Sequence, residues 1–260
     1  MLRRMTQALR RQDWTTIAVE FVLLVAGVFL GIQAANWNQE RAARIQSDLF
    51  TQRLRDDLRI ETWNRAALNA YHASVRLNAR KTLAALEDKA DLSNEALLIA
   101  AYRASQYGEL VRYRGTYDEL TSTGNIGLIK DRLLRKMATE IYNSNAADNL
   151  KNEGINSRYR TAFRMAIPID VQEAIANACG DRDLIIGNHA SLRTILNYDC
   201  KTGLPQPDID LAASALRTDP AYIPLLRLRI ADIGSQLATI GMNLSPEVMA
   251  GMDALSRERQ

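Results

Sequence analysis

The stretch 17–35, IAVEFVLLVAGVFLGIQAA, constrains this chain more than any other part of it. Only Glu20 and Gln33 in it are strongly polar. A hydrocarbon core about 30 Å thick is crossed by roughly 20 helical residues, and about 17 suffice. Trp14 and Trp37 flank the run, where indole rings favour the two membrane–water interfaces. The pattern predicts one transmembrane helix over residues 15–37. A cleaved signal peptide is the rival reading, because 21–32 has the length of a signal's apolar region. A cut after Ala35 places Gln33 two residues before it, and a cut after Ala34 places Ile32 there. Neither is the small residue that such a site expects.

Charge sets the expected orientation. Arg3, Arg4, Arg10 and Arg11, against the single acid Asp13, precede the apolar run, and only Arg41 and Arg44 follow closely. An excess of Arg holds its side of a membrane helix in the cytoplasm. The expected organisation is a basic cytoplasmic tail over 1–14, the membrane helix over 15–37 and a periplasmic helical domain over 38–260. A bacterial inner membrane is the matching location.

The membrane helix carries a patterned face. At about 100° per residue, Glu20, Leu24, Gly27, Gly31 and Ala34 fall in a stripe about 80° wide. Glycines four apart let a second helix approach closely. A carboxyl group in hydrocarbon costs a few kcal/mol unless it is protonated, paired or snorkelled. Glu20, Gly27, Gly31 and Ala34 therefore read as a helix–helix contact, to a second copy or to a membrane partner. The plainer alternative has Glu20 reaching back to the headgroups.

The run Arg11-Gln-Asp-Trp14, Glu20, Gly27-Val-Phe-Leu-Gly31 and Ala35-Asn-Trp-Asn-Gln-Glu-Arg41 resembles a family of uncharacterised bacterial membrane proteins. Its most recognisable feature is a membrane helix ending in a WN-x-E-R-like run. A second patch, Thr116-Tyr-Asp-Glu-Leu120 with Ser122, Gly124, Ile129 and Lys130, is similar to that family's central motif. The resemblance covers about a quarter of the chain. It implies a single-pass inner-membrane protein and no activity.

The remainder reads as all-α, a helical bundle with long helices. There are only 13 Gly and 6 Pro in 260 residues, well under the average share. Residues 38–88 contain neither and predict one long helix continuous with the membrane helix. Ile45, Leu49, Leu54, Leu58, Leu68, Tyr71, Val75 and Leu86 sample one face of it. That helix is either a free stalk or the first helix of a bundle, and the bundle is favoured. Ser93 predicts the N-cap of a helix over 93–107. A short helix over 116–123 ends at Gly124 in a left-handed cap, and 125–128 is a turn. One helix is expected over 130–166, with Gly154 its weak point. A short helix over 171–178, an irregular stretch over 180–208 and a helix over 208–216 follow. Asp219 and Pro220 then start a helix whose residues Ile223, Leu226, Ile230, Ile233, Leu237 and Ile240 have the spacing of a bundle seam. Ser245 and Pro246 open a last helix.

Few side chains suggest chemistry. Two Cys and two His leave little room for a metal centre. Cys179 and Cys200 fit a disulfide if this part meets an oxidising compartment, with buried free thiols or a reactive pair as alternatives. Tyr117, Glu119, Ser122 and Asn125 form a candidate partner or ligand surface. The plainer reading of that patch packs Tyr117 and Leu120 inward. A pocket lined by Tyr102, Tyr107, Tyr113 and Tyr117 would suit a ligand sensor. No P-loop, GxGxxG, HExxH or GxSxG is present, so no cofactor and no enzymatic activity are expected. With 33 basic and 30 acidic residues interleaved, no nucleic-acid partner is expected either. The function expected is a membrane-anchored, non-enzymatic interaction or scaffold protein. The alternative is a ligand-sensing or regulatory subunit that signals through a partner's membrane helix.

Overall fold

The computed structural model describes residues 14–257. Arg3, Arg4, Arg10, Arg11 and Asp13 lie outside the described residues. The first element, α1, is a single helix over Trp14–Leu86. The unbroken helix expected from the lack of Gly and Pro beyond residue 38 is therefore present. It closes at Asp88, whose φ of 55° is the left-handed turn that commonly ends a helix. The elements after it are α2 (Asn94–Ala104), α3 (Gly115–Ser122), α4 (Arg132–Tyr142), α5 (Ala146–Ile155), α6 (Arg158–Ala166), α7 (Ile169–Cys179), α8 (Gln206–Thr218), α9 (Tyr222–Met242) and α10 (Pro246–Arg257). Short 3-10 helices occupy Asn125–Leu128 and Ala190–Thr194. No strand occurs among the described residues, so the fold is all-α.

The chain divides into two compact units, one with residues up to Gln52 and Gly127–Lys130, the other with Arg53–Ile126 and the residues from Asp131 onward. In the first unit, residues 18–46 of α1 are exposed without exception. Among the described residues one helix is long and apolar enough to cross a membrane, and its most apolar window has nothing buried. Phe29 is 58% exposed and Leu30 66%. Ile45 and Leu49 do not pack, contrary to the face expected from their spacing. The burial in this unit falls on Ser47, Phe50 and Ile129 instead, with the Ser47 hydroxyl donating to the Leu128 carbonyl.

The second unit holds the main core. Leu54, Leu58, Trp63, Leu68, Tyr71 and Val75 of α1 are buried in it, so this part of α1 is a bundle helix rather than a free stalk. Around it, α2 packs on α6, α7 and α8, α9 packs on α5 and α6, and α10 packs on α4. Leu97, Leu98, Phe163, Ile175, Ala213 and Leu226 are fully buried at the centre.

Local chemistry sets the ends of these helices. Ser93 caps α2 by accepting from the Ala96 amide at 3.2 Å. Asp131 does the same for α4 through Leu134, and Ser157 for α6 through Arg160. Gly124 takes the left-handed conformation expected of it, with φ 71°. The single helix expected over 130–166 is instead three, α4, α5 and α6. The breaks fall at Asn143–Ser144 and at Asn156–Ser157. Asn and Ser side chains compete for backbone groups and favour caps over helix interiors. Of the seam in α9, Leu226, Ile233 and Ile240 are buried, while Ile223, Ile230 and Leu237 are half-buried. Asp219 accepts from the Ala221 amide at 2.9 Å, and the helix starts at Tyr222, two residues later than a Pro220 at its first position would place it.

Cys179 and Cys200 are joined in a disulfide, with Cα atoms 5.6 Å apart. It ties the end of α7 to the segment that leads into α8. Arg103 fastens the same loop, donating to the carbonyls of Cys179 and Tyr198. Closing a loop with a sequence separation of 21 should stabilise by about 3 kcal/mol in the loop-entropy account. The paired change Cys179→Ser and Cys200→Ser is expected to lose that amount in denaturant titration. An unchanged midpoint would mean that Arg103 and the packing hold the loop unaided.

Candidate functional site

The segment 107–114, between α2 and α3, crosses α1 as an irregular strap. Two of its backbone groups are met by side chains of α1. The Asn64 amide donates to the Val111 carbonyl at 2.9 Å, and the Tyr113 amide donates to Glu61 at 2.7 Å. The Tyr142 hydroxyl donates to the Tyr113 carbonyl at 2.6 Å. On its other side the strap meets α5 so closely that a Cβ at Gly154 would overlap Tyr107. Gly154, a weak point by helix propensity, is thus the residue that admits the strap.

Where α2 ends and the strap begins lies a cluster of buried polar groups. Arg229, on α9, is fully buried, with a side-chain exposure of 0%. Its guanidinium donates to the carbonyls of Ala104 at 3.3 Å and Gln106 at 2.7 Å. Its Nη1 also donates to both oxygens of the Glu153 carboxylate, at 2.7 and 2.5 Å. Arg160 donates to the Ser105 carbonyl at 2.8 Å and stacks over Tyr107. Cations thus meet the carbonyls left unpaired at a helix C-terminus, where the helix dipole favours positive charge. Burial raises the Glu153 carboxyl above its usual range, and Arg229 works against that shift.

His72 is also fully buried. Its Nδ1 lies 3.0 Å from the Leu68 carbonyl. A carbonyl can only accept, so Nδ1 carries the proton. Nε2 then holds a lone pair with no hydrogen-bond partner among the described residues. Burial, with a smaller push from the Arg229 charge, holds the imidazolium pKa down to about 4. This histidine is a neutral packing group with its tautomer fixed, not a poised base.

A cavity of about 80 Å³ opens beside the strap. Leu68, Ile141, Ala146, Ile240 and Met252 supply an apolar wall, and Glu61, Arg65, Arg112 and Lys151 bring charge to it. Arg112 pairs with Glu61 at 3.5 Å and donates to the carbonyls of Ile141 and Ser144. Lys151 pairs with Glu109.

The residues singled out in the sequence scatter. Tyr117 is buried and stacks on Tyr142 at 5.0 Å between centroids, so it is no part of a partner surface. Leu120 is buried beside it on the same face of α3, as the plainer reading of that patch expects. Glu119 remains at the surface, paired with Arg53 at 2.9 Å. Ser122 and Asn125 are exposed and bond locally, Ser122 to the Glu119 carbonyl and Asn125 to the Thr123 hydroxyl. The four tyrosines do not share a pocket. Tyr102 packs edge-on to Phe163, Tyr107 lies under Arg160, and Tyr117 faces Tyr142. Glu20, Gly27, Gly31 and Ala34 are exposed along α1, and a Cβ at either glycine would meet nothing within 4 Å. Among the described residues, no group of three His, Cys, Asp or Glu could hold a metal ion. Protein-family models, curated proteins and solved structures all return no match to this chain.

The buried cluster escaped the sequence reading, although a signal was present. Leu226, Arg229 and Ile233 are spaced 3 and 4 apart, so a charge sits on the apolar face of α9. The seam drawn through Ile230 passed it by.

Proposed function

We propose that this chain is a membrane-anchored, non-enzymatic interaction protein. In this reading the apolar part of α1 crosses a bacterial inner membrane, with the N-terminus cytoplasmic and the helical region periplasmic. The observation that carries it is the uninterrupted exposure of residues 18–46, whose apolar half has no protein surface to bury it. Water is a costly solvent for a helix apolar all round, and hydrocarbon is not. The Cys179–Cys200 bond is in keeping with an oxidising compartment. The resemblance to single-pass membrane proteins points the same way. Glu20, Gly27, Gly31 and Ala34 would then meet a second membrane helix, from another copy or a partner.

Membranes washed at alkaline pH should retain the chain, and a phosphatase fused after Gln260 should be active. Release by the wash would remove the anchor. A silent phosphatase beside an active cytoplasmic reporter would reverse the orientation. Gly27→Ile or Gly31→Ile should weaken cross-linking in the membrane several-fold, because a branched side chain forces the backbones apart at closest approach. Val22→Ile, on another face, should not. Equal cross-linking for all of them would leave Glu20 as a snorkelling residue and the stripe without a partner. The second reading, a ligand-sensing subunit, is favoured by one observation, the cavity beside the strap.

A further inference from the structure

Every cation at the strap cavity but one is already neutralised by a close partner. Arg112 is held by Glu61 and two carbonyls, and Lys151 by Glu109. Among the described residues Arg65, on α1, makes no hydrogen bond and no ion pair, and one of its terminal nitrogens is buried without a partner. The one acid at the cavity without a bonded partner, Asp148, is exposed to solvent and lies toward Lys151. A half-buried guanidinium left alone is a costly feature, and a nitrogen of it that is not shut in can donate a charge-assisted hydrogen bond to a carboxylate. The apolar residues that line the cavity with it are buried. A water-sized site takes about 10–15 Å³ of such volume, so the cavity holds roughly six heavy atoms.

We propose that this cavity binds a small aliphatic monocarboxylate, its carboxylate on Arg65 and its chain of about four carbons against Leu68, Ile141, Ile240 and Met252. The charge selects the anion and the apolar wall selects the tail. Acetate has too little apolar surface to gain from those residues, and a dicarboxylate would bring a second charge among them. This inference does not depend on the membrane reading above. A chain released from membranes could still bind the ligand, and an anchored chain could fail to.

Titration calorimetry on the full chain in mild detergent tests it, with butanoate, butan-1-ol and butylamine as probes. Butanoate should bind saturably, at least about tenfold tighter than either analogue. Arg65→Leu should weaken butanoate by a similar factor and leave butan-1-ol unchanged. Arg65→Lys, which keeps the charge but moves it on a shorter side chain, should fall between them. If Arg65→Leu melts early and cannot be titrated, the wild-type ranking of the three probes and the Arg65→Lys result decide the matter. Equal affinity for butanoate and butan-1-ol, no saturable butanoate binding, or full affinity in either Arg65 variant would overturn the assignment.

Discussion

Arg229→Ala is expected to cost about 3–5 kcal/mol of folding stability, the range found when one partner of a buried ion pair is removed. Three losses coincide at this site. The Glu153 carboxylate loses the guanidinium nitrogen that meets both its oxygens. The carbonyls of Ala104 and Gln106 lose their donors, and an unpaired buried polar group costs roughly 1–3 kcal/mol. A large side chain with no exposure leaves a hole in the core. One relief partly offsets these. Burial already pushes the Glu153 carboxyl upward, so without Arg229 it can take up a proton and shed its charge. Glu153→Gln should therefore be milder, about 1–2 kcal/mol, since an amide oxygen can still accept from the guanidinium. The double change Arg229→Met with Glu153→Leu should recover part of the single loss, because it removes both charges and refills the space. Urea titration of the three variants reads all of this. A loss under about 1 kcal/mol for Arg229→Ala would mean that the pair contributes little and that the helix end is satisfied without it.

Stability should also fall as the solution is acidified, through His72. Its folded pKa is about 4, against about 6.5 for a free imidazole. Above pH 6.5 the ring is neutral in both states and contributes nothing to the pH dependence. Below it the unfolded chain takes up a proton that the folded chain refuses. Stability is thus present above the unfolded pKa and is lost as pH falls toward 4, by about 3 kcal/mol in all. His72→Leu should flatten that part of the curve, while His189→Gln should leave it in place. Thermal melts between pH 7 and 4.5 give the comparison. An equal slope in wild type and His72→Leu would assign the acid sensitivity to carboxylates instead.

Much of this architecture was legible because it rests on local chemistry. The stretch free of Gly and Pro from residue 38 became the larger part of α1, Ser93 became a cap, Gly124 a left-handed stop, and the two cysteines a pair. What stayed hidden depends on neighbours far along the chain. Breaks of two or three residues at Asn143 and Asn156 barely disturb helix propensity, yet they turn one expected helix into three. Tyr117 looks the same in sequence whether it faces solvent or Tyr142. Ile45 and Leu49 share the spacing of Leu54 and Leu58, but only the latter two are buried. The strap is the clearest case. Nothing in 107–114 announces that Glu61 and Asn64 will receive its backbone, because those partners lie about 50 residues earlier. Periodicity speaks to faces, not to which element covers them.

The disulfide between Cys179 and Cys200 also changes what a protease can do to this molecule. Between the two cysteines runs a loop whose Ile185 is 69% exposed and whose Gly187 adopts φ 87°, the sort of surface segment that nicking enzymes attack first. A single cut there would not release a fragment. The helices before it and those after it would stay covalently joined, with α7 and α8 each still packed on α2. The loop can thus lose its continuity while the bundle keeps its connectivity, and only a reductant would turn one nick into two separate chains.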